Sequence, residues 1–92
     1  MNEKIQVLVI EDTESDAELL KEMLSSIKKP LIDVFVCGGL NEAMRLLETV
    51  TYDLIISDLG LPESEGRETI KKLEIFNERM PVILLTGLED DE

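Results

Sequence analysis

The chain has no histidine and no tryptophan, one cysteine, one tyrosine and two phenylalanines, and nine lysines and arginines against 21 aspartates and glutamates. Without histidine there is no Ser-His-Asp or Cys-His pair for nucleophilic catalysis, and the chain cannot itself be a phosphohistidine donor. Cys37 has no partner for an internal disulfide or a cysteine metal cluster, and it reads as a small buried strand residue. A formal charge of −12 leaves no clustered Lys and Arg to neutralise phosphates, so no nucleic acid is expected to bind through this segment. No apolar run approaches the ~18 residues of a membrane span. The opening Met1-Asn2-Glu3-Lys4 lacks the zones of a signal peptide, and the expectation is a cytoplasmic protein with no membrane contact.

What is present is a globular balance, 43% hydrophobic and 33% charged, over 92 residues, enough for one domain with one modest core. Residues 5–10 are short, β-branched and nearly all apolar, which fits a parallel strand covered on both faces. Thr13 with Asp16 three residues on is a candidate helix cap, and Ala17, Leu20, Leu24 and Ile27 then recur at helical spacing until Lys28-Lys29-Pro30. A second strand over 31–36 ends at Gly38-Gly39, and Leu40, Ala43, Met44, Leu47 and Val50 mark a second amphipathic helix. Leu54-Ile55-Ile56-Ser57 forms a third strand reaching Asp58, a helix with Ile70 and Leu73 inward starts near Gly66, and Val82-Ile83-Leu84-Leu85 is a fourth strand. Residues 88–92 begin another helix on this reading. Strands alternating with helices predict a parallel α/β sheet with right-handed crossovers.

Open parallel sheets place their sites at the carboxyl ends of the strands, near the point where strand order reverses. Here those ends carry Glu11-Asp12, Asp58 and Thr86, which converge if strands one, three and four lie side by side. Clustered carboxylates repel, and a hard divalent cation such as Mg²⁺ relieves the repulsion through oxygen ligands and retained waters. Gly60, in the turn after Asp58, is placed to offer a backbone carbonyl, and Pro62 stiffens that turn. Taken singly, each residue has a plainer explanation: acidic residues end strands because loops are solvated, and a threonine at a helix start is a cap.

Taken together, Glu11-Asp12, Asp58, the Asp58-Leu59-Gly60-Leu61-Pro62 turn, Gly66 and Thr86-Gly87 resemble the receiver domain of two-component response regulators over essentially the whole chain, residues 1–92. The resemblance implies a flavodoxin-like doubly wound parallel sheet and a phosphorylation switch rather than an enzyme. It implies that Asp58 takes a phosphoryl group from a sensor histidine kinase or His-phosphotransfer protein. Glu11, Asp12, Asp58 and the Gly60 carbonyl would hold Mg²⁺, Thr86 would contact a phosphoryl oxygen and switch, and Gly87 would leave access.

The pattern departs from the family where a fifth strand ending in lysine and a last helix are expected, so the fold is read as incomplete, with four strands. Val82–Leu85 would then be an exposed apolar edge, and self-association through 82–85 is expected. The alternative function is a receiver-like interaction or oligomerisation domain that is not phosphorylated. An aspartate-nucleophile phosphatase would carry a second aspartate where Gly60 stands, and a nucleotide-binding protein would carry a glycine-rich phosphate loop.

Overall fold

Along Val7-Leu8-Val9-Ile10 the side chains alternate between two apolar layers, because successive residues of a strand point to opposite faces. The computed structural model describes residues 4–58 and 66–85, without the side chains of 66–69, 76 and 77. In chain order these form β1 (Lys4–Ile10), α1 (Glu14–Ser25), β2 (Leu31–Cys37), α2 (Leu40–Thr49), β3 (Leu54–Asp58), α3 (Gly66–Asn77) and β4 (Val82–Leu85). All strand pairs are parallel and the sheet order is β2-β1-β3-β4. Strands one, three and four are therefore neighbours, as the sequence predicts. Among the described residues no helix is long and apolar enough to cross a membrane.

Leu8, Ile10 and Ile55 pack with Leu40, Ala43 and Leu47 of α2 and Leu73 of α3. Val7, Val9 and Ile56 form the opposite layer with Leu20 and Leu24 of α1. Among the described residues one helix thus covers one face and two cover the other, the arrangement that right-handed crossovers impose when the chain winds first to one side of β1 and then to the other. Val7 through Ile10 are completely buried, and each such side chain contributes roughly 1.5–3 kcal/mol of burial. Cys37 closes β2 as a buried residue, 3% exposed. Tyr52 packs edge-on against Phe35, ring centroids 5.7 Å apart.

Three expectations at helix ends are corrected. Thr13 is the N-cap of α1 by position, its carbonyl accepting from the Ala17 N–H at 2.9 Å, but its side chain makes no cap bond. The reciprocal arm of a capping box would need the Thr13 N–H, and that donor is taken by Glu11 Oε2 at 3.2 Å. Helix α1 stops at Ser25, where the Ile27 N–H turns back to the Leu24 carbonyl at 3.2 Å, leaving Ile27 exposed rather than on the inner face. Val50 likewise lies just past α2, exposed, donating its N–H to the Leu46 carbonyl at 2.8 Å.

Of the two inward positions expected on α3, Leu73 is buried, whereas Ile70 is 39% exposed at the rim of a cavity of about 170 Å³ shared with Leu73, Glu74, Val82 and Leu84. At the opposite end of the sheet from the strand tips, Asp53 clamps β1: its N–H donates to the Gln6 carbonyl and its Oδ2 accepts from the Gln6 N–H, each at 2.8 Å. That clamp helps set the register in which β3 runs along β1.

Candidate metal centre

The last paired rung between β1 and β3 is Ile10 with Ser57, so the residue after each stands at the same level, Glu11 just past β1 and Asp58 at the end of β3. Alternation puts both on the α1 side of the sheet, since Val9 and Ile56 two residues earlier belong to that layer. From β1 the chain winds to β2 on one side, and β3 lies on the other, so this is the point of reversal at which open α/β sheets form their crevice. Asp12, one residue past Glu11, has left the strand and is free of the strand's alternation.

Carboxylate oxygens of Glu11, Asp12 and Asp58 all lie within 4.8 Å of one another. Glu11 is 3% exposed and Asp58 8%, whereas Asp12 is exposed, so the cluster has a buried floor and an open side. Glu11 Oε2 accepts the Thr13 N–H, and its other oxygen, Oε1, is buried with no hydrogen-bond partner among the described residues. Burial pushes the Glu11 carboxyl up to about 7 against the lowering effect of the Thr13 N–H, and the charges of Asp58, Asp16 and Asp12 push it further the same way.

A buried carboxylate oxygen without a donor is costly, and a cation removes that cost. The donor set is all hard oxygen, with an open side where waters remain, so these residues fit Mg²⁺. The structure brings together Glu11, Asp12 and Asp58 as the sequence predicts. The other predicted positions, Gly60, Thr86 and Gly87, lie outside the described residues, as do Leu59, Leu61, Pro62 and the helix expected over 88–92. β4 does run beside β3, pairing Leu85, the residue before Thr86, with Asp58. Sequence reading passed over Ser57, a fully buried hydroxyl whose signal was a lone polar residue inside the apolar run 54–57.

The parallel sheet and the carboxylates gathered at its reversal point define an α/β protein with an oxygen-rich crevice suited to a hard divalent cation. The model of the response regulator receiver domain matches residues 7–92, and the chain belongs to that family, whose domains serve two-component signalling. The regulatory protein VanRB of Enterococcus faecalis is 30% identical over 88 residues, spanning 96% of this chain and 38% of that protein. The chain thus spans well under half the length of this relative. The receiver domain of the Francisella response regulator 1452 superposes with a TM-score of 0.76 at 31% identity, covering 94% of this chain and 69% of that one. Response regulator TrrA of Thermotoga maritima, in complex with Mg²⁺ and BeF, superposes with a TM-score of 0.76 at 27% identity, covering 92% and 71% of the two chains. The expected flavodoxin-like fold is that of these receiver domains.

Proposed function

We propose that residues 1–92 form one receiver domain in which Asp58 is the phosphoacceptor, acting in the cytoplasm as a regulatory domain. The observation that carries this reading is the meeting of Glu11, Asp12 and Asp58 oxygens within 4.8 Å at the reversal point of the sheet. An Asp58 carboxylate oxygen attacks the phosphorus of a phosphohistidine on a sensor histidine kinase or His-phosphotransfer protein. The new O–P bond forms as the P–N bond breaks, and its electron pair stays on the imidazole of the donor.

Glu11, Asp12, Asp58 and the Gly60 carbonyl would hold Mg²⁺ in this reading, and the ion would supply positive charge against the negative charge developing on the transferring phosphoryl oxygens. Burial of β3 holds Asp58 in place, while the exposed Asp12 side leaves the approach to it open. Thr86 bonds a phosphoryl oxygen and moves inward to switch the surface, and Gly87 leaves room for the donor. Acetyl phosphate with Mg²⁺ tests this: the wild type gains one phosphoryl group by mass, and Asp58→Asn gains none. A wild type that stays unlabelled by acetyl phosphate and unmoved by beryllofluoride sinks the reading.

One observation favours a second reading, an interaction domain that is not phosphorylated. Among the described residues β4 has a strand on one side only, with Ile83 44% exposed, and an apolar edge strand templates pairing with another chain. Self-association through 82–85 must overcome the repulsion of two chains of charge −12. Sedimentation at rising salt tests it: dimers that strengthen with salt and vanish in Ile83→Lys support the edge contact, and a monomer throughout removes it.

A further inference from the structure

The hydroxyl of Ser57 is completely buried in a layer made mostly of aliphatic side chains. By alternation with Ile55 it faces the side of α2 and α3, and its rung partners there are Ile10 and Leu84, both of that layer. An alanine would pack at this position without a polar group to desolvate, so the hydroxyl adds little to folding. What it does is donate to the backbone carbonyl of Asp58 at 3.2 Å.

Asp58 is the last residue of β3, so that carbonyl belongs to the first peptide unit beyond the strand. Residues before Asp58 are held by the ladders to β1 and β4. The hydroxyl holds the unit after it, so the Asp58 Cα is fixed from both sides. We propose that Ser57 is a positioning residue for the acidic site: its hydroxyl locks the peptide following Asp58 and so keeps the Asp58 carboxylate at the level where it meets Glu11 and Asp12. This rests on the phosphoacceptor reading for its purpose, but the geometric effect is on cation binding by the three carboxylates. Groups that orient metal ligands through one intervening bond affect affinity without touching the ion.

The test compares Mg²⁺ affinity by calorimetry, and melting without Mg²⁺, across the wild type, Ser57→Ala and Ser57→Thr. Ser57→Ala is expected to bind Mg²⁺ about tenfold more weakly, with no loss of melting temperature in the metal-free state. Ser57→Thr retains a hydroxyl on a β-branched side chain suited to a strand, and restores the affinity. Should the alanine variant not fold, Ser57→Cys fills the same space with a weak donor and is expected to bind Mg²⁺ more weakly than Ser57→Thr. Equal affinity in wild type and Ser57→Ala overturns the inference, as does a threonine variant as weak as the alanine one. A wild type that binds Mg²⁺ but accepts no phosphoryl group overturns the phosphoacceptor reading alone, because the Mg²⁺ comparison still decides Ser57.

Discussion

Glu11, just past β1, and Asp58, the last residue of β3, stand level on neighbouring parallel strands, one residue past the Ile10–Ser57 rung, with carboxylate oxygens within 4.8 Å. Two chain segments distant in sequence are thus held at a fixed spacing by the backbone ladder. The spacing that suits a cation is the spacing at which two anions repel, so metal-free stability and metal affinity oppose each other at this point.

Asp58→Asn removes one of the repelling charges and is expected to stabilise the metal-free protein by about 1 kcal/mol in urea unfolding. Mg²⁺ at a hundredfold its dissociation constant is expected to stabilise the wild type by about 2.7 kcal/mol, and the asparagine variant by much less. Unfolding curves indifferent to both changes would show that the three carboxylates do not act as one site.

Glu11 gives the pH dependence. Its folded pKa, about 7, lies above the ordinary 4.5, so the folded state holds this proton more tightly than the unfolded chain. The resulting stabilisation is full below pH 4.5 and is lost as pH rises through about 7, on the order of 3 kcal/mol in all. Urea midpoints of the metal-free protein should fall across that window, and Glu11→Gln should flatten the fall. Mg²⁺ competes with the same proton, so its affinity should climb over the same range.

Asp53 and Gln6 make a test away from the site. Asp53→Ala removes the side-chain half of their clamp, and because Asp53 is exposed the loss should be about 1 kcal/mol. An unchanged urea slope with a lower midpoint would mark a loss of stability without loss of compactness.

Packing separates two isoleucines that composition cannot. Ile55 is fully buried and Ile75 is 67% exposed, so Ile55→Ala should cost about 3 kcal/mol and Ile75→Ala less than about 0.5 kcal/mol. Thermal melts of the two variants decide it.

The strands were legible because β-branched apolar runs such as Val7–Ile10 and Leu54–Ile56 have few other uses, and Glu11-Asp12 and Asp58 fell at their ends. Helix ends were less legible: Ile27 and Val50 continue the apolar period, but Ile27 has turned back to the Leu24 carbonyl, and Val50 makes the last helical bond, to Leu46, with its own backbone already extended. Periodicity records which residues are apolar and does not record where the hydrogen bonds stop. Thr13 misled for a related reason, since a cap signature carries no trace of the distant-facing Glu11 oxygen that claims the same N–H. Ile70 has the right spacing to be inward, yet a residue at the rim of a layer is covered only if something packs beyond it.

Among the described residues β1 is bordered by a strand on each side and covered on both faces, whereas β4 is joined to one neighbour. Deuterium should therefore enter the amides of Val7–Ile10 only when the whole molecule opens, and those of β4 much sooner. The acidic cluster hangs from β1 and its neighbour β3, so opening of β4 alone should leave the ladder that sets Glu11 beside Asp58 in place.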